Sequence, residues 1–276
     1  MPKSTTTAFL GATGGCVNAC LAHSLRNGYP AVALARSPSK LTSLLLTQSL
    51  DQETLDAQLR IVQGDATDPR AVKSTLLQDI DGDGNGDDDG GNYTVVSKII
   101  SGIGGSGTFR NWGLEFDNPH ICEDSTQALL TALRQIYLER PSLIDTQPKP
   151  LLTVISGMGI DPNKRREDVP FLLRWPYHAL LHVPHADKWR MEEILCQEDS
   201  KSLFRGIVTV RPGSLLTGDH LITSGNGWKT VQVGTESGKP AVGYKVLRAD
   251  VGEWMFNEVV VEGGERWMGE KVSLTS

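Results

Sequence analysis

A glycine-rich turn near the N-terminus has the composition of a phosphate-binding loop. The segment GATGG (residues 11–15) follows a short apolar run, Thr7–Leu10, and precedes a helical pattern over residues 18–26. Glycines in such a place permit a tight turn, and they let backbone N–H groups at a helix start approach a pyrophosphate. A βα turn that binds no cofactor would look the same, and this alternative stays open. The residues predicted to contact a dinucleotide are Gly11, Thr13, Gly14 and Gly15.

One residue departs from the usual spacing of dinucleotide-binding turns. The third glycine of a GxxGxxG motif would stand where this chain has Val17. That glycine normally lets the helix pack close to the sheet. We therefore expect Val17 to push the first helix outward or to shift the turn.

A basic side chain follows the second predicted strand, Ala31–Ala35. A dinucleotide fold that selects NAD carries Asp or Glu at this place for the ribose 2′-hydroxyl, whereas Arg36 suits a 2′-phosphate. Ser37 and Lys40 lie close by in the sequence. The pattern predicts NADP(H) as the cofactor, although Arg36 could also be an ordinary surface arginine.

Three further strand ends supply candidate site residues. Asp65 follows the third strand, where it could lie over the adenine edge or cap the next helix. Gly102 follows the fourth strand and would bring the backbone close to the ribose or nicotinamide. Ser156 ends the fifth strand, where its hydroxyl could bind a substrate carbonyl or cap a turn.

Histidines cluster with a tyrosine and a lysine between the fifth and sixth strands. The stretch 177–188 contains three histidines together with Tyr177 and Lys188. Histidine exchanges protons near neutral pH because its reference pKa is about 6.5, so His185 is a candidate general acid or base. A histidine that lines an apolar wall is the alternative. We expect no metal site, because no third ligand recurs at a helical interval and Pro184 interrupts the geometry.

These candidate residues lie within an alternation of strands and helices. Short apolar strands alternate with helical patterns as far as about residue 211. Such alternation implies right-handed βαβ units, a mostly parallel sheet covered on both faces, and ligands beyond the carboxyl ends of the strands. We therefore expect a single α/β domain over 1–276, with a Rossmann-like doubly wound sheet. A small C-terminal substrate lobe would come mainly from 165–185 and 212–248.

The acidity of the chain is concentrated in one segment. The 276 residues include 27 basic and 33 acidic ones, and the formal net charge is −6. Six aspartates with no basic residue lie in the glycine-rich stretch 79–92, which we expect to be a disordered loop. Its D-x-D-x-N-G start matches the opening of a calcium loop, but Asn92 stands where such a loop needs a bidentate glutamate.

Composition and patterning exclude several classes of protein. Net acidity argues against a nucleic-acid partner, and no apolar run approaches the roughly 20 residues of a membrane span. The start of the chain does not have the pattern of a signal peptide. The four cysteines are scattered, and the i,i+4 spacing of Cys16 and Cys20 suits buried packing. We therefore expect a cytoplasmic protein.

Several segments together resemble the extended and atypical short-chain dehydrogenase/reductases, and more closely their NmrA-like branch. They are GATGG, the strand end ALARS, GDATDP, and VRPG after the sixth strand. Four others make the chain similar to the averufin-oxidase-type family, fungal oxidoreductases of aromatic polyketide pathways. They are NPHICEDSTQALLTAL, EDVPFLLRWPYHALLHVPHADKWRMEEIL with PYHALLHVPHADK as its most specific part, AVGYKVLRADVGEWMF and KVSLT. The resemblance covers nearly the whole chain except the acidic stretch.

The resemblance implies an NADPH-using fold that acts on a bulky, planar intermediate of anthraquinone or xanthone type. It places Lys188 where related folds have a lysine that faces the cofactor. Short-chain dehydrogenases pair a tyrosine with a lysine four residues later, and no tyrosine here has that partner. Tyr177 precedes Lys188 by eleven residues, so the two could meet only in space. The residues that the resemblance carries to the cofactor are Gly11, Thr13, Gly14, Arg36 and Pro212.

Three functions are compatible with these observations. The first is an NADPH-dependent oxidoreductase in which Tyr177, His185 or Lys188 assists proton transfer. The second is a redox-neutral isomerase, cyclase or lyase on the same scaffold, which the missing Tyr–Lys pair and Val17 motivate. The third is a non-catalytic, NADP-sensing regulator of the NmrA type that binds a partner protein. Either a monomer or a homodimer is compatible with the sequence.

Overall fold

A mostly parallel β-sheet with helices on both faces forms the centre of the protein. The computed structural model describes residues 5–79, 93–105, 107–110, 113–161, 169–171 and 181–276. Its strands are β1 (Thr7–Leu10), β2 (Ala31–Ala35), β3 (Leu59–Gln63), β4 (Leu77–Asp79), β5 (Tyr93–Val95), β6 (Lys98–Ser101), β7 (Gly107–Arg110), β8 (Gly113–Phe116), β9 (Leu151–Ile155), β10 (Gly206–Pro212), β11 (Leu215–Thr217), β12 (Gln232–Thr235), β13 (Lys245–Leu247) and β14 (Lys271–Thr275).

The helices cover both faces of this sheet. In chain order they are α1 (Gly15–Arg26), α2 (Pro38–Thr47), α3 (Gln52–Gln58), α4 (Pro69–Leu76), α5 (Ile121–Glu139), α6 (Ser142–Thr146), α7 (His182–Cys196), α8 (Glu198–Lys201) and α9 (Arg248–Met255). A π-helical turn, Phe256–Val261, continues α9. One apolar core lies around α1 and α9, and the other around α4, α5 and α7.

Among the described residues, eight strands form the central sheet in the order β12-β14-β10-β9-β6-β1-β2-β3. All of its pairings are parallel except the edge pair of β12 with β14. The side chains of β1, β2 and β9 are buried along their whole length, as expected for strands covered on both faces. The predicted doubly wound α/β fold is therefore observed.

The strand order reverses between β1 and β6, and this reversal creates the crevice where ligands of such sheets bind. From β1 the chain runs outward through β2 and β3, and it then returns to place β6 on the other side of β1. Gly102, after β6, donates its N–H to the carbonyl of Leu10 at a distance of 3.0 Å. The carboxyl ends of β1 and β6 therefore meet at the switch point.

Several predicted element boundaries were wrong. The first helix begins at Gly15, three residues before the predicted start, directly after the extended residue Gly14. The predicted strand over 94–101 is two strands, because β5 forms an antiparallel hairpin with β4 whereas β6 joins the central sheet. The acidic stretch lies between the strands of that hairpin, and residues 80–92 of it fall outside the described residues.

A small parallel pair, β11 with β13, lies within the region predicted to form the substrate lobe. Residues 162–168 and 172–180, which belong largely to the other predicted part of that lobe, are outside the described chain. The extent of the lobe stays a prediction. Within the described ranges, no helix has both the length and the apolar character that a membrane crossing requires.

Candidate functional site

The glycine turn after β1 requires glycine at its first position. Gly11 has φ +80°, and a Cβ there would lie 2.9 Å from the carbonyl oxygen of Gly102. The Gly14 N–H donates to the Gly11 carbonyl at 2.9 Å and closes the turn. The two glycines therefore place no Cβ of their own between the backbone of the turn and the amino end of α1.

Val17 is accommodated without the third glycine of the motif. Its side chain is buried, and its Cγ2 occupies the space that a Cβ on Gly102 would need. The glycine that lets α1 lie close to the sheet is thus Gly102, at the end of β6, and not a residue of the helix. The expectation that Val17 displaces the helix overlooked this partner, which lies 85 residues away in the sequence.

A cleft of about 330 Å³ opens beside the turn. Six of the predicted cofactor residues line it: Gly11, Thr13, Gly14, Arg36, Asp65 and Gly102. Lys40 also lines it, together with Asp117, Asn118 and Ile121 from the segment that leads into α5. The last three were not predicted as site residues. Their approach to the cleft is a long-range contact that local patterns do not reveal.

Arg36 and Asp65 both line this cleft, but Asp65 is occupied by its own turn. Its Oδ1 accepts the backbone N–H of Thr67 at 2.9 Å and the Thr67 hydroxyl at 2.8 Å. These bonds, with the charge of Arg36, hold the pKa of Asp65 below its usual range. The residue that caps α4 is Asp68, which accepts the Arg70 N–H. The helix-cap interpretation of Asp65 was therefore wrong.

Four other predicted cofactor residues lie outside the cleft lining: Lys188, which is described below, and Gly15, Ser37 and Pro212. Gly15 begins α1, where the side chain of Arg248 lies across it. Ser37 is exposed before α2, and its hydroxyl is 3.3 Å from that of Ser39. Pro212 is buried at the end of β10. Their roles toward a cofactor stay predictions.

Lys188 reaches the carboxyl end of β9. Its Nζ donates to the carbonyl oxygen of Ser156 at 2.7 Å and lies 3.4 Å from that of Ile155. Ser156 is only 2% exposed, and its hydroxyl has no hydrogen-bond partner among the described residues. The structure thus brings Lys188 to the main chain of Ser156, while the Ser156 hydroxyl turns away from solvent.

The other catalytic candidates lie on or before helix α7. His185 is half-buried in its first turn, and Tyr177 lies outside the described residues. The expectation that Pro184 interrupts the geometry was wrong, because a proline in the first helical turn removes no helical hydrogen bond. His182, His185 and Lys188 therefore share one continuous helix.

Asp187 has a structural role that the sequence analysis did not identify. Its two carboxylate oxygens accept the backbone N–H groups of Cys122 and Glu123, both at 2.9 Å. These are the second and third residues of α5, so Asp187 caps that helix from a neighbouring one. At 5% exposure, this carboxylate is committed to the cap.

A buried ion network lies behind the strand ends. Arg211 donates to both carboxylate oxygens of Glu192, at 3.1 and 2.6 Å, and to Glu236 at 3.0 Å. The Nζ of Lys271 lies 3.0 Å from Glu192. Burial disfavours the Glu192 carboxylate, but its bonds to Arg211 and the nearby cations outweigh burial and lower its pKa. The network fixes α7 against β10 and β14.

The cysteines near the turn are not nucleophiles. Burial raises the pKa of the Cys16 thiol to about 12, even though the charges of Arg248 and Lys188 oppose the shift. Burial raises the pKa of Cys122 to about 12 as well. All four cysteines are free. Over the residues that the structure describes, no group of three or more His, Cys, Asp or Glu side chains is arranged to hold a metal ion.

Comparison with curated proteins identifies the family. The chain is 62% identical over 275 residues to Oxidase pynE of Aspergillus niger, which covers 98% of both chains. It is 38% identical over 276 residues to Reductase pytE of Aspergillus terreus, which covers 98% of this chain and 97% of that one. The chain belongs to their family. The names of these relatives, an oxidase and a reductase, confirm the predicted oxidoreductase, and the family is consistent with the atypical short-chain dehydrogenase/reductases that the sequence resembles. No family model matches the chain.

Solved structures with low sequence identity share the fold. The oxidoreductase ylbE of Lactococcus lactis superimposes with a TM-score of 0.60 at 13% identity, covering 98% of this chain and 90% of that one. The anaerobillin reductase ChuY of Escherichia coli O157:H7 gives a TM-score of 0.56 at 16% identity, with 98% and 97% coverage. The predicted fold class is confirmed.

Proposed function

We propose that the protein is an NADP(H)-dependent oxidoreductase that acts on an aromatic polyketide of anthraquinone or xanthone type in fungal secondary metabolism. The observation that carries the cofactor proposal is the pairing of a glycine turn with Arg36 and Lys40 in one cleft. The position after β2 that would hold an acid in an NAD-selective fold holds Arg36. Two cations there favour a ribose that bears a 2′-phosphate.

The residues of the turn fit a dinucleotide. The first turn of α1 contains no acidic residue, and no side chain caps it. No acidic side chain of α1 itself therefore competes with a bound anion in its first turn, and the glycines admit a pyrophosphate close to the backbone. Gly11, Thr13 and Gly14 would hold the pyrophosphate, while Arg36 and Lys40 would bind the 2′-phosphate. When bound, the nicotinamide supplies or accepts a hydride.

Lys188 is suited to stabilise charge on a substrate oxygen. Its ammonium group is fixed at the carboxyl end of β9, the strand beside β6 at the switch point. A cation held in place before the reaction lowers the energy of a developing oxyanion without reorganisation. His185 lies three residues before it, in the same helix, and would move protons between ring oxygens of a phenolic or quinoid substrate. Tyr177 remains the candidate for a further proton donor.

The substrate class rests on family membership. The averufin-oxidase-type family acts in aromatic polyketide pathways, and the two curated relatives are named an oxidase and a reductase. Those names support redox chemistry, and the direction of hydride transfer is left to the experiment.

The test is turnover with a panel of hydroxyanthraquinones and hydroxyxanthones, each incubated with NADPH and, in reduced form, with NADP⁺. We expect product formation that matches cofactor consumption mole for mole. Lys188→Met should abolish turnover, whereas Lys201→Met, which removes an exposed lysine on α8, should not change it. Product without cofactor consumption would contradict the proposal and identify a redox-neutral enzyme. Cofactor binding without any product would contradict it in favour of a sensor.

A further inference from the structure

We infer that Arg248, from the C-terminal part of the chain, is a ligand of the cofactor pyrophosphate. The inference rests on the proposed function, because it requires a dinucleotide at the turn. Arg248 begins α9, more than 230 residues after the glycine turn. It lies in the segment AVGYKVLRADVGEWMF that carries part of the family resemblance, but no cofactor-binding spacing marks it, so the sequence alone gives no sign of this role.

The stem of Arg248 lies directly over the start of α1. A Cβ on Gly15 would overlap the Cδ of Arg248, and its Nε would lie 3.1 Å away. Gly15 is the first residue of α1, next to the backbone that would hold the pyrophosphate. Glycine at position 15 therefore makes room for an arginine side chain at the anion-binding end of the helix.

The charge of Arg248 lies close enough to this helix start to act on the buried thiol of Cys16, the second residue of α1. There it opposes the rise in pKa that burial causes, and the charge of Lys188 acts on the same thiol in the same direction. The amino end of α1 therefore combines the positive end of the helix dipole with two side-chain cations.

No carboxylate among the described residues neutralises Arg248. The hydrogen bond found for its guanidinium goes from Nη1 to the carbonyl of Gly218, at 2.7 Å. The acids of α9 have other partners: Asp250 accepts from the N–H groups of Asn226 and Gly227, and Glu253 from that of Trp228. A guanidinium has five N–H donors in a planar fork, so most of them are available to phosphate oxygens.

The hydrogen bond from Arg248 to Gly218 links the cofactor turn to the predicted substrate lobe. Gly218 follows β11 in the region predicted to form the substrate lobe, and it has φ +68°. One edge of the Arg248 guanidinium would bind the pyrophosphate while the other binds the Gly218 carbonyl. The side chain would thereby join this segment to the bound cofactor. Arg248 would thus position the lobe when the cofactor binds.

Calorimetric titration with NADP⁺ and with 2′-AMP tests the inference. 2′-AMP keeps the adenosine and the 2′-phosphate but lacks the pyrophosphate. Arg248→Met preserves the apolar stem and removes the guanidinium. It should weaken NADP⁺ binding about 10- to 100-fold, the usual effect of a lost charge-assisted hydrogen bond, and leave the Kd of 2′-AMP unchanged. Arg248→Lys, which keeps the charge, should weaken NADP⁺ binding by a smaller factor.

The matched control is Arg26→Met. It removes the same charge from the exposed last residue of α1, about 16 Å away along the helix axis. Arg26→Met should bind NADP⁺ and 2′-AMP with the same affinities as the wild type. Equal NADP⁺ affinities of the wild type and Arg248→Met would overturn the inference, as would equal losses for NADP⁺ and 2′-AMP. Failure of the wild type to bind NADP⁺ at all would instead contradict the proposed function.

Discussion

At the scale of single residues, glycines decide how closely strand, helix and cofactor can approach. Gly11 avoids the Gly102 carbonyl, Gly102 makes room for Val17, and Gly15 makes room for Arg248. The dinucleotide motif normally places its third glycine on the helix. Here the same steric problem is solved on the opposite surface by Gly102, so a valine in the motif is no evidence against a phosphate-binding turn.

The pair Val17 and Gly102 gives a residue-scale prediction. Gly102→Ala should lower the free energy of unfolding by about 1–3 kcal/mol, because the new methyl group overlaps a buried side chain. Adding Val17→Ala should recover most of that loss, since it removes the overlapping methyl groups. Gly104→Ala is the control, because a Cβ there meets no atom within 4 Å. Denaturant unfolding measures all four proteins. A Gly102→Ala variant as stable as Gly104→Ala would show that this packing is wrong.

At the scale of elements, helix α7 organises much of the site. Asp187 caps α5, Lys188 binds the end of β9, and Glu192 receives the buried Arg211. The cap also holds the start of α5, where Ile121 lines the cleft. A single helix therefore fixes the positions of a candidate catalytic lysine and of one wall of the cofactor cleft.

The cap of α5 gives the element-scale prediction. Asp187→Ala should lower the free energy of unfolding by about 1–2 kcal/mol, because two helix N–H groups lose their acceptor. Asp187→Asn should lower the free energy of unfolding by a smaller amount, since its amide oxygen can still accept one of the two N–H groups. The control is Glu193→Ala on the same helix, which removes an exposed carboxylate paired with Arg190. If urea unfolding shows that Asp187→Ala is at least as stable as Glu193→Ala, the role of Asp187 as the cap of α5 is contradicted.

Strands that are buried on both faces could be predicted from the sequence. Contacts between residues far apart in the chain could not. The strands Thr7–Leu10 and Ala31–Ala35 were predicted with their observed bounds because both faces are buried and the sequence is continuously apolar. The helix start at Gly15 was missed because glycine is a poor helix former. Asp187 and Arg248 could not be assigned, because a cap on another helix and a cation from the far end of the chain have no local pattern.

At the scale of the whole molecule, the aspartates of the acidic stretch lie together in the sequence, apart from the cations of the candidate site. The hairpin strands β4 and β5, which flank the acidic stretch, lead into the amino end of β6. The cleft with Arg36 and Lys40 lies at the opposite, carboxyl edge of the sheet. The formal charge of −6 therefore says little about the site, whose cations suit an anionic cofactor.

A buried polar chain connects the turn to the C-terminal part of the molecule. Asn18 donates to the carbonyl of Ala12, within the glycine turn, and Gln48 donates to the Oδ1 of Asn18; both bonds are 2.8 Å long. Gln48 also donates to the His220 carbonyl and accepts the N–H of Ile222. The segment after β11 is thus tied to the cofactor turn independently of Arg248.

The most direct test of the account is the cofactor preference of Arg36→Ala. The dissociation constants of NADPH and NADH should be measured by quenching of tryptophan fluorescence in the wild type, in Arg36→Ala, and in Arg26→Ala as an exposed-arginine control. We expect the wild type to prefer NADPH. Arg36→Ala should weaken NADPH about 10- to 100-fold and leave NADH nearly unchanged, because only NADPH carries the 2′-phosphate. Equal losses for the two cofactors would contradict the assignment of this cleft to NADP(H).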